Sequence, residues 1–72
     1  MTQIFQRTFV RAQRVRSFEV TSNPGVGWLV FEREGERVLH QQQFTDWHRV
    51  ERATWRLANV MEDLRQDGWR EM

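Results

Sequence analysis

The chain of 72 residues contains no cysteine, no lysine and no tyrosine, and it has only one proline. Without cysteine, neither a disulfide nor a thiolate–zinc cluster can stabilise the fold. No apolar run is long enough to span a membrane, and no continuous apolar segment of the kind found in signal peptides follows Met1. These absences predict a small cytoplasmic protein with no membrane segment and no disulfide.

The small size of the chain limits the core that it can form. A domain of this length buries only about 60% of its unfolded surface, so it is marginally stable alone. Four tryptophans and five phenylalanines are available to compensate. We therefore expect an aromatic-rich core, self-association, or both, and we predict that the protein is a homodimer.

Charge is unevenly distributed, although the net charge is only +1. Residues 1–18 contain four basic side chains and no acidic one. We interpret residues 1–16 as a basic segment, extended or partly ordered, and residues 17–72 as the single domain. The segment would attract an acidic partner, either a protein or a nucleic acid. The arginines concerned are Arg7, Arg11, Arg14 and Arg16.

Residues 45–67 are predicted to form one amphipathic helix. Apolar side chains recur at steps of three and four, which is the helical period. Either Thr45 or Asp46 can cap the first turn, and Gly68 stands where a C-terminal cap glycine belongs. The stripe that should face the core contains Trp47, Val50, Leu57, Met61 and Leu64.

Trp55 does not belong to this stripe. At about 100° per residue it falls on the opposite face of the helix. It either lies flat over neighbouring side-chain stems such as that of Arg52 or anchors a protein interface, where tryptophan is enriched.

The segment before the helix predicts three strands, over residues 17–22, 26–31 and 38–44. Asn23-Pro24-Gly25 and Glu34-Gly35 are typical turn sequences. The expected fold is therefore α+β, a three-stranded antiparallel meander with one long C-terminal helix packed on one face (βββα). Residues 68–72 either add a short strand or fold Trp69 onto the edge of the core.

Two-residue turns predict the register of the strands. Val20 would then lie opposite Leu29, and Phe31 opposite Val38. The face under the helix would collect Phe18, Val20, Leu29, Phe31, Val38, His40 and Phe44. The other, open face would have Trp28, Val30 and Leu39 at its centre, and we predict that these three residues and Trp55 form protein interfaces.

Residues that could carry chemistry are few. His40 and His48 are the only histidines, and zinc needs three or four converging ligands. Gly25-Val26-Gly27 lacks the third glycine of a phosphate loop and precedes a strand, not a helix. We predict no catalytic residue, no metal site and no cofactor, and hence no enzyme.

A hairpin, the sequence Phe44-Thr45-Asp46 and then a helix resemble, over residues 26–58, the βββα N-terminal domains of phage-type integrases. The resemblance implies that the open sheet face binds DNA. The side chains on that face suited to contacting nucleic acid are Arg37, Gln41 and Gln43, with Glu19 and Glu32 beside them. A weaker similarity, in strand-strand-helix order, links the chain to double-stranded RNA-binding domains.

The composition and the pattern together predict a non-enzymatic protein-interaction module. It would be a homodimer through the open sheet face, and its arginine segment would attract an acidic partner protein. The alternative is a nucleic-acid-binding module that uses the sheet or the arginine segment.

Overall fold

The computed structural model describes residues 2–72, which form one antiparallel sheet with a single helix across one face. The strands lie in the order β4-β3-β2-β1-β5. The elements along the chain are β1 (Thr2–Arg11), β2 (Arg14–Asn23), β3 (Gly27–Glu34), β4 (Arg37–Phe44), α1 (Trp47–Gln66) and β5 (Arg70–Glu71).

The α+β class, the antiparallel sheet and the C-terminal helix are confirmed, but the three-stranded meander is wrong. The N-terminal residues form the full strand β1, which pairs with β2 along its length. Phe9 explains why this segment joins the sheet, because its side chain is fully buried. Its ring meets the Phe18 ring edge to face at 6.1 Å between centroids. The predicted boundary between residues 16 and 17 falls within β2.

The turn between β2 and β3 is one residue longer than predicted. Asn23 pairs with Gly27, so three residues form the loop. Pro24 is the reason, since a two-residue hairpin needs a positive φ at its first position and proline is held near −65°. Gly25 follows with a φ of +81°, and the Val26 N–H donates to the Asn23 carbonyl at 3.0 Å. The geometry is that of a type II turn.

This one extra residue reverses the two faces of β3. Val20 pairs with Val30 instead of Leu29, and a slip of one residue moves every side chain of a strand to the other face. Trp28 and Val30 therefore lie on the face covered by the helix. Leu29 and Phe31 lie on the open face, contrary to the prediction.

The next hairpin also differs from the predicted register. Its turn is formed by Gly35 and Glu36, and a β-bulge interrupts the pairing of β3 with β4. Because of the bulge, His40 and Phe44 are on the covered side as predicted. Val38 instead pairs with Arg33 and is 45% exposed.

The helix closely follows its prediction. Asp46 is the N-cap, and its carboxylate accepts a hydrogen bond from the His48 N–H at 3.0 Å. Trp47 does not join the buried stripe but packs on Trp28, with ring centroids 5.5 Å apart. The predicted outward position of Trp55 is confirmed. The buried side chains of α1 are Val50, Ala53, Leu57, Met61 and Leu64.

The end of the helix connects it to the far side of the sheet. Gly68 has a φ of +93°, and its N–H donates to the Arg65 carbonyl while the Trp69 N–H donates to the Leu64 carbonyl. This is the Schellman arrangement. Both alternatives for the C-terminus occur together, because Trp69 is buried and the short strand β5 pairs with β1.

Candidate interaction surfaces

The open face of the sheet is the side of β1–β4 that the helix does not cover. Its apolar centre is formed by Leu29 and Phe31, and the Val10–Val15 pair lies towards one end. Glu19 is its only acidic residue and Arg33 its only basic one. By strand register, its other members include Gln3, Gln6, Thr8, Ser17, Thr21, Val38, Gln41 and Gln43. It is an almost uncharged surface of amides, hydroxyls and apolar side chains.

The interface residues predicted for this face must be partly corrected. Val30 is 3% exposed and belongs to the core, and Trp28 packs against Trp47 of the helix. Their predicted position on the open face is wrong because the turn contains three residues. Leu39 is the extra residue of the β-bulge and is 42% exposed. Trp55 is 67% exposed, and the interface role of these two residues stays a prediction.

Two polar groups on the open face lack a hydrogen-bond partner within residues 2–72. The Arg33 guanidinium lies 4.9 Å from the centre of the Phe31 ring, and its Nε is buried without an acceptor. The Thr21 hydroxyl is also shielded and unpaired. Buried polar groups are normally satisfied, so these two atoms are exceptions within the sheet.

The residues predicted to contact nucleic acid are divided between the two faces. Gln41 and Gln43 pair with Phe31 and Leu29 and lie on the open face. The Gln43 amide nitrogen donates to the Val26 carbonyl at 2.9 Å. Arg37 pairs with Glu34 beside the turn, so its side chain belongs to the opposite face. Its predicted position on the open face is wrong, because the three-residue turn before β3 reverses the faces of that strand and so places Glu34 and its partner Arg37 on the covered side.

The N-terminal arginines are largely neutralised within the molecule. Arg7 bonds to Glu71 and Arg14 to Glu34, each at 2.6 Å. Arg16 bonds to Glu32, and both side chains of this pair are less than one-fifth exposed. Arg11 alone has no ion pair among the described residues. Most of the arginines that the sequence suggested for binding a partner therefore form ion pairs within the chain instead.

Glu71 is bound by two of these cations, which predicts a measurable acid dependence. Hydrogen bonds from Arg7 and then Arg65 lower the pKa of Glu71. A carboxylate with a depressed folded-state pKa stabilises the fold above the ordinary glutamate pKa, and this contribution is lost as pH falls through the lowered value. We expect the melting temperature of wild type to fall more steeply than that of Glu71→Gln over that acid range. The effect should be small, because the group is solvent-screened.

Circular dichroism melts at a series of pH values measure this difference. Glu36→Gln is the matched control, since Glu36 is exposed and has no ion pair among residues 2–72. If Glu71→Gln and Glu36→Gln show the same slope as wild type, the bonds from Arg7 and Arg65 do not stabilise the fold.

A groove between β4 and α1 brings three arginine side chains together. Its cavity of about 380 Å³ is lined by Gln42 and Phe44 of the strand and by Arg49, Arg52 and Arg56 of the helix, with Ala53 between them. Arg56 reaches across it to donate to the Gln42 side-chain oxygen at 3.2 Å. Sequence reasoning missed this cluster, although the i, i+3, i+7 spacing of the arginines indicates one flank of a helix.

The groove continues into a second, more apolar cavity of about 220 Å³. Arg56 lines both cavities, so the two adjoin along the helix and are treated together as one furrow. The second cavity is lined, besides Arg56, by Val30, Phe31, Glu32, His40, Leu57 and Val60. This furrow is defined here as the β4–α1 groove.

The two histidines lie on different elements. His40 is in β4, and His48 is in the first turn of the helix, 3.9 Å from Glu51. Among residues 2–72, no three histidine, aspartate or glutamate side chains converge as metal ligands. Within the same residues, no helix has the length and apolar character needed to cross a bilayer.

Comparisons with known proteins add no further assignment. No protein-family model, no curated protein and no solved structure matches this chain.

Proposed function

We propose that the protein is a non-enzymatic interaction module that forms a homodimer through its open sheet face. The observation that supports this most directly is the composition of that face, where Leu29 and Phe31 are half-buried and most of the surrounding side chains are uncharged. Apolar patches with a polar rim typically mark interfaces on small soluble domains. A second copy would also supply the buried apolar area that a chain of this size lacks.

The dimensions of the face suit a dimer. Strands β1–β4 contain eight to ten residues each. At about 3.3 Å per residue and about 4.8 Å between strands, they present a plane of roughly 500 Å². Two copies face to face would therefore bury roughly 1,000 Å² or more, which meets the minimum area expected of a biological interface.

The charges on the face favour a second copy over an unrelated partner. Glu19 and Arg33 lie on neighbouring strands, two residue positions apart in register. A two-fold axis between them would set Glu19 of each copy against Arg33 of the other, and Phe31 would lie close to that axis. A two-fold interface needs such self-complementarity.

Substituting Phe31 by glutamate tests the homodimer. We expect wild type to be a dimer and Phe31→Glu to be a folded monomer, because two like charges would oppose each other across the axis. Light scattering coupled to gel filtration measures the mass, and circular dichroism confirms the fold. Phe31 is not a member of the buried core, so we expect the variant to fold.

Trp55→Glu is the matched control, because Trp55 is the most exposed aromatic side chain of the described helix and lies away from the sheet. We expect this variant to remain dimeric. A Phe31→Glu protein that is still dimeric, or a wild type that is monomeric at every concentration tested, would contradict the homodimer. A monomeric Trp55→Glu would contradict the assignment of the interface to the sheet.

Nucleic-acid binding by the open face has less support. Arg33 is the only basic residue on it, and Glu19 on the neighbouring strand repels phosphate. Phosphate neutralisation supplies much of the affinity of nucleic-acid-binding proteins.

A further inference from the structure

The three arginines of the β4–α1 groove have no acidic partner within residues 2–72. Arg49, Arg52 and Arg56 are exposed and take part in none of the ion pairs of the described chain. Most N-terminal arginines, by contrast, are each matched to a glutamate. Three unmatched guanidinium groups on one flank of a helix repel one another, and an anionic ligand would relieve this repulsion.

The strand that borders the groove is an edge of the sheet. β4 stands at the end of the strand order, so within residues 2–72 its outer side has no neighbouring strand. Its outward N–H and C=O groups are available to pair with a further strand. After the bulge, Gln41 to Phe44 pair regularly with β3. A regular edge of this kind is the usual acceptor for β-strand addition.

We propose that the β4–α1 groove binds an extended acidic segment of a partner protein. The segment would pair with the outer edge of β4, and its carboxylates would bind Arg49, Arg52 and Arg56. This surface is separate from the open face, so the proposal does not depend on the homodimer.

The spacing of the arginines matches an extended chain. Arg49 and Arg56 are seven residues apart in the helix, which corresponds to about 10 Å along its axis. Side chains on one face of a strand repeat at about 6.7 Å. Acidic residues at alternate positions of the segment would therefore meet two or three of the guanidinium groups. The floor between them is apolar, formed by Phe44 and Ala53.

A protein segment fits these observations better than a nucleic acid. The arginines occupy one furrow about 10 Å long, and the net charge of the whole chain is only +1. Duplex binding relies on many phosphate contacts spread over a broad basic surface. An exposed strand edge also offers backbone hydrogen bonds, which a peptide can satisfy and a phosphate backbone cannot.

Fluorescence anisotropy with a labelled ten-residue peptide of alternating glutamate and threonine tests the proposal. We expect binding to wild type and a loss of about tenfold or more when Arg49, Arg52 and Arg56 are all changed to glutamine. Arg70→Gln is the matched control, because Arg70 is an exposed arginine of β5, at the opposite edge of the sheet. It should change the affinity by less than about twofold.

Two further measurements test the binding mode. A peptide with proline in place of each threonine should bind at least about tenfold more weakly, because proline cannot donate to the ladder. Amide exchange of Gln41 to Phe44 should slow when the glutamate–threonine peptide is bound. Equal binding of the proline peptide, with unchanged exchange, would overturn strand addition.

Further outcomes distinguish a peptide from a nucleic acid as the ligand of the groove, and the groove from the open face as the binding site. If the triple variant binds the glutamate–threonine peptide as wild type does, the groove is not the site and the proposal fails. If a twelve-nucleotide single-stranded or duplex DNA binds more tightly than the peptide and the triple variant loses it, the groove binds nucleic acid and the proposal is likewise overturned. Phe31→Glu should retain peptide binding whether or not it is monomeric, which keeps this test independent of the homodimer.

Discussion

Substituting Gly27 by alanine is expected to destabilise the domain by at least about 3 kcal/mol. Gly27 has a φ of +114°, a conformation that costs other residues roughly 1–3 kcal/mol. An added Cβ would also lie 2.3 Å from the Phe44 carbonyl oxygen, which is backbone and cannot turn aside. A domain of this size has a stability of about 4–11 kcal/mol. Thermal unfolding followed by circular dichroism should show a fall of at least about 12 °C.

Gly25→Ala is the matched control for this prediction. Gly25 also has a positive φ, at +81°, but nothing lies within 4 Å of the position of its Cβ. The substitution should therefore cost only the conformational term, about 1–2 kcal/mol. Equal losses in the two variants would show that the contact of Gly27 with Phe44 does not matter.

Gly27 also affects the proposed interface, because it is the first residue of β3 and helps to set the register of that strand. The close approach of Gly27 to Phe44 holds the start of β3 against the end of β4. With this register, Leu29 and Phe31 point to the open face. A residue that forced β3 to slip by one position would bury these two side chains and expose Val30 instead.

The helix could be predicted well from the sequence, and the sheet less well, for a physical reason. The helix depends on local signals, since its apolar spacing, its N-cap Asp46 and the Gly68 that ends it each involve residues within a few positions of each other. Strand register depends on turn length, where one residue reverses a face. The signal for a three-residue turn was nevertheless present, since Pro24 cannot occupy the first position of a two-residue hairpin. Reading that signal would have placed Phe31 on the open face.

The arginine roles were harder to predict, because their partners are distant in the chain. Arg7 meets Glu71 across 64 positions, and Arg14 meets Glu34 across 20. A cluster of basic residues in sequence therefore became a set of internal ion pairs. The sequence shows that the groove arginines share one flank of the helix. Only the fold shows that β4 lies beside them, where Arg56 donates a hydrogen bond to Gln42.

The two proposed surfaces are compatible in one molecule. The open face and the β4–α1 groove lie on opposite sides of the sheet, since the groove is bordered by the helix. A homodimer through the open face would therefore carry two grooves, facing away from each other. A partner with two acidic segments could engage both, and its apparent affinity would exceed that of one segment.

Substituting Trp69 by alanine is expected to cost about 3–5 kcal/mol, the usual range for a large aromatic residue removed from a core. Trp69 is 5% exposed. Its backbone N–H donates a hydrogen bond to the Leu64 carbonyl at the end of the helix. The Arg14 guanidinium lies 5.1 Å from the centre of its ring. Without the indole, the core would lose the one buried side chain that the residues after the helix contribute to it. Urea unfolding followed by circular dichroism measures the loss.

Trp55→Ala provides the comparison within the same chain, because it removes an equal side chain from an exposed site. Trp55 is 67% exposed, so its loss should change the free energy of unfolding by no more than about 0.5 kcal/mol. Trp69→Phe should recover most of the loss, since an aromatic ring still fills the site and faces Arg14. If Trp69→Ala and Trp55→Ala lower the free energy of unfolding by similar amounts, the burial of Trp69 does not contribute specially to stability.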